Sequence, residues 1–405
     1  MKTVKKLSVI LAAFLLCAMV LAPAAAFADT DTTYTPVTGT NTTFQKALVL
    51  NADANVPGIT FAYTIEAGAA VAAGNGKMEI LSPGTATGVT GTPTIADVTF
   101  TAGGAAVSSA DGVTLTATRM AAVATVTVDF SGVSFSEPGI YRYLIKETSA
   151  GQQGVTYDTQ LADKTNGVAK QRTLDVYVTD DNGSLVVSSY VIHEFVNDIG
   201  AGEDAGSAVA ATLADKSKGF VNEYATFNFA FAKAVSGNQA SHDKYFKFSV
   251  AITNGGANAL VNVDMSAAQT APAKSAATAY EASTMAAANA LDEDSTLDGQ
   301  QWKLDADGAV TKDLYLKHGQ TVTIKGLAKG ANVTVTETPE DYKCDKSGNK
   351  IEVTNMEADS LGNTFTNTRS GIIPTGVLLT VVPGVAIVAI ALVGLFVMKK
   401  KKNEA

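Results

Sequence analysis

Residues 173–192, TLDVYVTDDNGSLVVSSYVI, contain two runs rich in β-branched and aromatic residues on either side of a turn sequence. Apolar and polar side chains alternate along both runs, which predicts strands at Thr173–Thr179 and Ser184–Ile192. The connecting segment Asp180–Gly183 ends in an Asn-Gly pair, which favours the tight turn of a β-hairpin. This hairpin is the clearest local element that the sequence predicts.

Alternating segments of the same kind occur on both sides of this hairpin, whereas helical periodicity is scarce. In the first half, further strands are predicted at Thr43–Leu50, Ile59–Ile65, Ala122–Phe130, Ile140–Glu147 and Gly219–Asn222. In the second half, strands are predicted at Thr226–Val235, Tyr245–Ile252, Trp302–Leu304, Val310–Leu316, Gln320–Ile324, Asn332–Thr336, Ile351–Thr354 and Thr364–Asn367. The Ala-rich segment Ala257–Ala290 has no clear pattern, and both a helix and a loop stay open there. The sequence thus predicts an all-β protein of the β-sandwich type.

The N terminus has the layout of a secretory signal peptide. Three lysines within the first six residues precede the apolar stretch Leu7–Leu21, and Ala26-Phe27-Ala28 fits the small-x-small rule for cleavage. We expect residues 1–28 to be removed during export. Removal would leave Cys344 as the only cysteine, so an internal disulfide is not available to this exported chain.

The C terminus has the layout of a cell-wall sorting signal. The motif Ile372-Ile373-Pro374-Thr375-Gly376 is followed by an apolar run from Val377 to Met398 and then by four lysines. An apolar run of about 20 residues can span a bilayer, so a plain single-pass anchor is the alternative interpretation. The common sortase pattern is Leu-Pro-x-Thr-Gly, and the shortened form here resembles the Pro-Thr-Gly signals of some sortase-assembled pilins.

The segment between these signals is too long for one hydrophobic core, which predicts two domains. Residues 29–41 form a polar lead, 42–222 the first domain, 223–370 the second domain and 371–405 the sorting signal. The junction near Glu223 is short, so we expect little hinge freedom. The whole chain has a formal net charge of -9, which argues against nucleic acid as a partner.

Three polar residues in each half share the apolar face of a predicted strand, because side chains two residues apart in a strand point the same way. In the first half these residues are Lys46, Glu147 and Asn222. In the second half they are Lys233, Glu337 and Asn367, in the same order along the chain. Each half is therefore expected to bury one lysine, one glutamate and one asparagine.

Two interpretations account for such triplets. A buried ion pair with a hydrogen-bonded asparagine would satisfy one triplet, since an unpaired buried charge costs several kcal/mol. Two triplets in matching order favour intramolecular Lys-Asn isopeptide bonds, one per domain. Desolvation lowers the pKa of a lysine and raises that of a carboxyl group, which leaves a neutral amine beside a protonated glutamate. We expect the glutamate to hydrogen-bond the asparagine carbonyl and to relay protons while ammonia departs.

These residues and several local blocks resemble the streptococcal-type major pilins of Gram-positive sortase-assembled pili. The resemblance spans about Thr43 to Gly376. The blocks that carry it are Phe130–Phe135, Pro138–Tyr143, Gly154–Thr159, Lys233–Gly237, Val335–Glu337 with Asp341-Tyr342, and Phe365–Asn367. The family implies tandem immunoglobulin-like β-sandwich domains with an isopeptide bond in each, formed by Lys46 and Asn222 with Glu147, and by Lys233 and Asn367 with Glu337.

The resemblance also implies a polymerisation chemistry. A pilin-class sortase would cut between Thr375 and Gly376 and transfer the Thr375 carbonyl to a lysine of the next subunit. In the family that lysine lies shortly before the first domain's asparagine, where Lys216 and Lys218 are both candidates. The implied partners are neighbouring copies of the chain, accessory pilins, peptidoglycan and, as an open option, host surface ligands. No cofactor is implied, and the expected location is the cell surface.

Two other classes of function stay open. A monomeric wall-anchored adhesin that binds a host protein or glycan would share both terminal signals but would need no acceptor lysine. An enzyme is less favoured, because His193, His242 and His318 have no metal-ligand spacing and no nucleophile motif stands out. Asp292–Asp294 and Asp305–Gly308 are better read as acidic turns than as calcium loops, since neither continues into an EF-hand.

Overall fold

The computed structural model describes residues 33–73, 78–149, 151–158, 170–193, 216–266 and 299–371. The predicted signal peptide, the segment Gly200–Asp215, the acidic segment Asp292–Asp294 and the sorting signal from Ile372 onward lie outside the described residues. Within the described ranges, no helix is long and apolar enough to cross a membrane.

The first part of the described chain, up to Tyr224, forms fourteen strands. They are β1 (Val37–Thr38), β2 (Thr42–Asn51), β3 (Ile59–Phe61), β4 (Tyr63–Ala67), β5 (Val89–Thr90), β6 (Thr94–Ile95), β7 (Val98–Phe100), β8 (Arg119–Asp129), β9 (Ser134–Phe135), β10 (Gly139–Glu147), β11 (Val155–Thr156), β12 (Gln171–Asp181), β13 (Ser184–His193) and β14 (Gly219–Tyr224). A short 3₁₀ turn covers Thr85–Thr87.

The second part of the described chain forms ten strands. They are β15 (Thr226–Ser236), β16 (Phe246–Thr253), β17 (Leu260–Ser266), β18 (Gln300–Lys303), β19 (Val310–Leu316), β20 (Thr321–Ala328), β21 (Asn332–Thr338), β22 (Lys343–Cys344), β23 (Lys350–Val353) and β24 (Ser360–Thr368). A second 3₁₀ turn covers Ser347–Asn349. The prediction of an all-β fold is confirmed.

Two sheets form the first sandwich, which spans β1 to β14. One has the order β13-β12-β10-β4 and the other the order β11-β14-β2-β8-β6. Their inward side chains, such as Phe44 and Phe220 from one sheet and Tyr143 from the other, meet in one hydrophobic cluster. Small sheets β1-β9-β5 and β3-β7 complete this half. Alternation along each strand thus places one apolar face of each sheet in a shared core.

The second sandwich, which spans β15 to β24, repeats this arrangement. A six-stranded sheet of order β18-β17-β20-β15-β24-β22 faces a four-stranded sheet of order β19-β16-β21-β23. Phe231 and Phe365 from the larger sheet pack with Phe248 from the smaller one in a second hydrophobic cluster. In both sandwiches the first long strand lies beside the last one in parallel, β2 with β14 and β15 with β24.

The two sandwiches are joined by a single residue, Ala225, between β14 and β15. Its backbone N–H donates to the Gly154 carbonyl at 2.9 Å, and its carbonyl accepts from the Lys329 N–H at 2.8 Å. The Asn51 amide donates to the Thr226 carbonyl at 3.0 Å. Hydrogen bonds from both sandwiches therefore hold the connection, in line with the expected small hinge freedom.

The predicted hairpin is confirmed, with Asp181 opposite Ser184 and positive φ angles of 57° at Asn182 and 89° at Gly183. Two other predictions need correction. The segment expected to have no clear pattern after Ala257 contains β17, which pairs with β18 and β20. The single strand predicted at Ile59–Ile65 is split at Ala62 into β3 and β4, which belong to different sheets. Phe61 before this break and Tyr63 after it both lie in the core of the first sandwich.

Candidate functional site

Three predicted residues meet in the core of the first sandwich. Lys46 on β2 and Asn222 on β14 lie on neighbouring strands, whereas Glu147 comes from β10 in the facing sheet. Lys46 Nζ lies 2.7 Å from Glu147 Oε1, and Asn222 Nδ2 donates to the same oxygen at 2.9 Å. Lys46 and Asn222 are 0% exposed and Glu147 is 3% exposed. The sequence pattern had placed all three on inward faces, and the structure brings them together.

The second sandwich assembles its triplet in the same way. Lys233 on β15 and Asn367 on β24 are on neighbouring parallel strands, and Glu337 comes from β21 in the facing sheet. Lys233 Nζ lies 2.8 Å from Glu337 Oε1, and Asn367 Nδ2 donates to that oxygen at 2.7 Å. All three side chains are buried.

The strand register is also the same in the two sites. Lys46 is paired with Phe220, two residues before Asn222. Lys233 is paired with Phe365, again two residues before Asn367. Because side chains two residues apart lie on the same face of a strand, this register puts each asparagine diagonally beside its lysine.

Both lysines lie in apolar, aromatic surroundings. Lys46 Nζ is 4.3 Å from the centroid of the Phe61 ring, and Lys233 Nζ is 4.5 Å from that of Phe246. Burial lowers the pKa of Lys46 to about 8, even though the carboxylate of Glu147 opposes the shift. Burial likewise lowers the pKa of Lys233, against the opposing effect of Glu337. A larger fraction of each amine is therefore neutral near physiological pH than for an exposed lysine.

The orientation of the asparagines differs from the expectation. Each glutamate oxygen contacts the asparagine amide nitrogen, whereas the sequence analysis expected it to contact the carbonyl. In the first site the Asn222 carbonyl oxygen accepts from the backbone N–H of Asp158 at 2.8 Å. A backbone N–H can only donate, so this contact sets which end of the amide faces Glu147.

Sequence reasoning did not find the residues around the first carbonyl. Asp158 is buried and forms an ion pair with the buried Arg172. Asp158 belongs to the block Gly154–Thr159, one of the blocks that carry the resemblance to pilins. The available signal was the placement of Arg172 at the start of an apolar strand, where its burial demands a charged partner.

The acceptor candidates lie on a segment at the edge of the first sandwich. Lys216 forms an isolated backbone bridge with His193, and Lys218 Nζ makes an exposed ion pair with Asp111 Oδ2 at 2.9 Å. Lys216 is exposed. The sortase motif residues Ile373, Pro374, Thr375 and Gly376 lie outside the described residues.

Two of the three histidines, which are far apart in the sequence, lie next to each other in the structure. The rings of His242 and His318 stack with centroids 4.0 Å apart, and the buried His193 has Nε2 3.3 Å from Asp175 Oδ2. Asp305 acts as a turn former, since its Oδ1 accepts from the Asp307 and Ala309 backbone N–H groups. Among the described residues, no group of three or more His, Cys, Asp or Glu side chains could hold a metal ion.

Comparisons with known proteins agree with this architecture. Residues 42–225 match the FctA family, described as a Spy0128-like isopeptide containing domain, and residues 228–369 match a domain of unknown function (DUF7601). A protein named Pilin from Streptococcus pyogenes serotype M1 is 26% identical over 301 residues, which cover 69% of this chain and 72% of that protein.

Two solved structures of Streptococcus pyogenes major pilins align along most of the chain. The first is 18% identical with a TM-score of 0.43 and covers 83% of this chain and 100% of that one. The second, the T-13 pilin, is 22% identical with a TM-score of 0.43 and the same two coverages. The chain is therefore similar to streptococcal pilins, and residues 42–225 match the family of Spy0128-like isopeptide containing domains.

Proposed function

We propose that the chain is the shaft subunit of a covalent surface pilus, and that each sandwich carries one intramolecular isopeptide bond. The observation that supports this most strongly is the repeated geometry of the two triplets. In each, one buried glutamate oxygen accepts from both the lysine Nζ and the asparagine Nδ2. An ion pair alone requires neither the asparagine nor a second copy in the same register.

The proposed reaction uses only groups within the core. The neutral amine of Lys46 attacks Cγ of Asn222, so that a Nζ–Cγ bond forms. Glu147 takes a proton from the attacking nitrogen and passes it to Nδ2, the Cγ–Nδ2 bond breaks and ammonia leaves. Glu147 Oε1 lies within 2.9 Å of both nitrogens, which is the reach that proton transfer needs. Lys233, Asn367 and Glu337 repeat these steps in the second sandwich.

Assembly of the proposed pilus would use the signals at both ends of the chain. We assign the two sandwiches, which are joined at Ala225, to the two isopeptide-linked domains predicted at 42–222 and 223–370, between a signal peptide at 1–28 and a sorting signal at 371–405. A pilin-class sortase would join the Thr375 carbonyl to Lys216 or Lys218 of the neighbouring copy. The same chemistry would link the shaft to accessory pilins and finally to peptidoglycan, with the chain acting as a structural protein on the cell surface.

One measurement tests the cross-links. The intact mass of the recombinant chain should fall short of the sequence mass by two ammonia molecules. Digestion should then yield two branched peptides, one joining Lys46 to Asn222 and one joining Lys233 to Asn367. A full, unmodified mass would exclude spontaneous cross-linking.

A second measurement tests the role in a pilus. Cells that express the chain with its sortase should show a ladder of covalent oligomers after boiling in SDS. Sortase-deficient cells provide the control, and they should show no ladder. A single wall-linked band in the presence of the relevant sortases would instead support the monomeric adhesin.

A further inference from the structure

A buried ion pair distinguishes the first site from the second. Asp158 is 1% exposed and Arg172 is 1% exposed, and the carboxylate and the guanidinium are in contact. In the second site, the Asn367 carbonyl oxygen is buried and has no hydrogen-bond partner among the described residues. The two sites thus share their reacting groups but differ in what surrounds the asparagine carbonyl.

The ion pair is connected to the reacting amide through the backbone. The N–H of Asp158 donates to Asn222 Oδ1 at 2.8 Å, and Asp158 Oδ2 accepts from the Val221 N–H at 3.1 Å. Asp158 therefore forms hydrogen bonds with two consecutive residues of β14. Its side chain is held in turn by Arg172, whose Nε donates to Ser217 Oγ at 2.9 Å.

Arg172 is itself firmly held. Its Nη1 donates to the Gln171 carbonyl at 3.0 Å, and its guanidinium carbon lies 4.7 Å from the centroid of the Phe220 ring. Phe220 is the residue paired with Lys46 across the β2–β14 register. The guanidinium thus contacts Phe220 on β14 and Ser217 just before that strand, both on the N-terminal side of the reacting asparagine.

The pair also affects the charge environment of Lys46. The titratable or charged groups that act on Lys46 and its surroundings are Glu147 from β10, Asp158 from the segment after β11, Arg172 from β12 and Tyr63 from β4. The carboxylate of Asp158 favours the ammonium form of Lys46, and the guanidinium of Arg172 disfavours it. The two effects oppose each other only while both partners are present.

We propose that Asp158 and Arg172 are positioning residues for the first cross-link, which hold a backbone N–H against the Asn222 carbonyl while Lys46 attacks. The inference rests on the proposed isopeptide chemistry. Attack at Cγ places negative charge on Oδ1 in the tetrahedral intermediate, and a preorganised N–H at 2.8 Å stabilises that charge. The proton and ammonia follow the route already described, with no further reactant. The first bond should consequently form faster than the second.

The test measures bond formation in newly made chains. Full-length chain from cell-free translation with mild detergent is quenched in acid at timed intervals, at several pH values. Peptide mapping then assigns each loss of ammonia to the Lys46–Asn222 or the Lys233–Asn367 link. The rate of the second bond serves as an internal reference in every sample, because Asp158 and Arg172 belong to the first sandwich.

Two variants are expected to act in opposite directions on pH dependence. Arg172→Gln leaves the Asp158 carboxylate uncompensated, so the first bond should form more slowly, by up to about tenfold. The curve of its formation rate against pH should also be displaced to higher pH. Asp158→Asn keeps the backbone N–H but leaves the guanidinium uncompensated, so the rate curve should move to lower pH. The double variant should return the curve toward that of the unmodified chain. The second bond should keep its rate throughout.

Each outcome decides the inference. The inference would be overturned if the rate curves of both single variants moved in the same direction along the pH axis, or if neither moved. A purely structural role gives no reason for the two curves to move in opposite directions. If one variant does not fold, the sign of the other together with the double variant still decides. A parent chain in which neither bond forms would count against the proposed function itself, whereas a parent with both bonds and unresponsive variants would count against this inference alone.

Discussion

At the residue scale, the two glutamates would link attack to departure in the proposed reaction. Each lies between the attacking lysine nitrogen and the amide nitrogen that must leave. The other oxygen of each carboxylate is buried with no hydrogen-bond partner among the described residues. Each carboxylate is therefore engaged through one oxygen only, the one that contacts both nitrogens.

Replacing either glutamate should abolish one bond. Glu147→Ala should show a deficit of only one ammonia molecule against its own sequence mass, and Glu337→Ala should do the same, because proton transfer typically contributes 10²- to 10⁴-fold to such rates. Glu66→Ala offers a matched control, since Glu66 is an exposed carboxylate that pairs with Lys146 on a neighbouring strand. A Glu147→Ala chain that still falls two ammonia molecules short of its own sequence mass would contradict the assigned role.

The rate of the first bond should depend on pH through Lys46. Only the neutral amine attacks, and its pKa of about 8 means that the neutral fraction rises as the pH increases toward that value. The rate should therefore increase with pH below about 8 and level off above it. Timed quenching and mass analysis across this range provide the measurement. A rate that continues to climb to the ordinary lysine value of 10.5 would show that burial does not shift this amine.

At the scale of single strands, β14 depends on a glycine where it joins β2. Gly219 has a φ of 139°, and a Cβ built there would lie 1.8 Å from the Gln45 carbonyl oxygen. Gly219 immediately precedes the residue that pairs with Lys46. Close approach of two backbones thus decides whether lysine and asparagine come into register.

Gly219→Ala should reduce the first bond without affecting the second. Backbone strain of this kind costs on the order of 1–3 kcal/mol, and the clash with Gln45 must displace β14 as well. Mass analysis should show a fraction of chains that lack one ammonia loss, and mapping should assign the deficit to Asn222. Gly132→Ala is the control, because a Cβ there has no atom within 4 Å. Full cross-linking in Gly219→Ala would contradict the prediction.

The segment before β14 provides a choice between two acceptor lysines. The side chain of Lys218 forms an ion pair with Asp111. The backbone of Lys216 forms a β-bridge with His193, and Lys216 is exposed. We expect Lys216→Ala to abolish the SDS-resistant ladder and Lys218→Ala to retain it. Intact mass of both variants should still show two ammonia losses, which separates polymerisation from folding. The reverse pattern would assign the acceptor to Lys218.

At the scale of the whole molecule, the two proposed bonds would define how tension crosses the subunit. Each would join the first long strand of a sandwich to its last, which lies beside it in parallel. By loop-closure entropy each bond restricts the unfolded chain by about 4 to 5 kcal/mol, a model-dependent figure. Force applied at the two ends would pass through the bonds and leave the remaining strands of each sandwich unloaded.

Single-molecule pulling should reveal this path. With handles at residues 42 and 370, the parent chain should show no unfolding step, because both bonds lie between the handles. Glu147→Ala and Glu337→Ala should each add one step, from the first and the second sandwich respectively. With the first handle moved to Lys216, Glu147→Ala should lose its step, since Lys46 then lies outside the loaded segment. Steps in the fully cross-linked parent would contradict the proposed arrangement.

The sequence by itself determined the features that depend on local order along the chain. Alternation with period two predicted most strands and placed all six polar residues of the triplets on inward faces, because side-chain direction in a strand follows from position alone. The Asn182-Gly183 turn was equally local, since positive φ angles at both residues suit that pair. The length between the terminal signals predicted two domains, and the order of lysine, glutamate and asparagine occurs once in each half.

The tertiary structure alone decided which strands are neighbours and which groups meet. The parallel pairing of β2 with β14 and of β15 with β24 joins segments from opposite ends of each sandwich, and no local pattern encodes such a pairing. The break between β3 and β4 at Ala62 and the pairing of β17 also depend on partners that are distant in the sequence. The contact of the Asp158 N–H with the Asn222 carbonyl, and hence the orientation of the reacting amide, arises where three separate segments pack together. Long-range packing sets such contacts because a buried polar group is stabilised only by the partner that the complete fold brings to it.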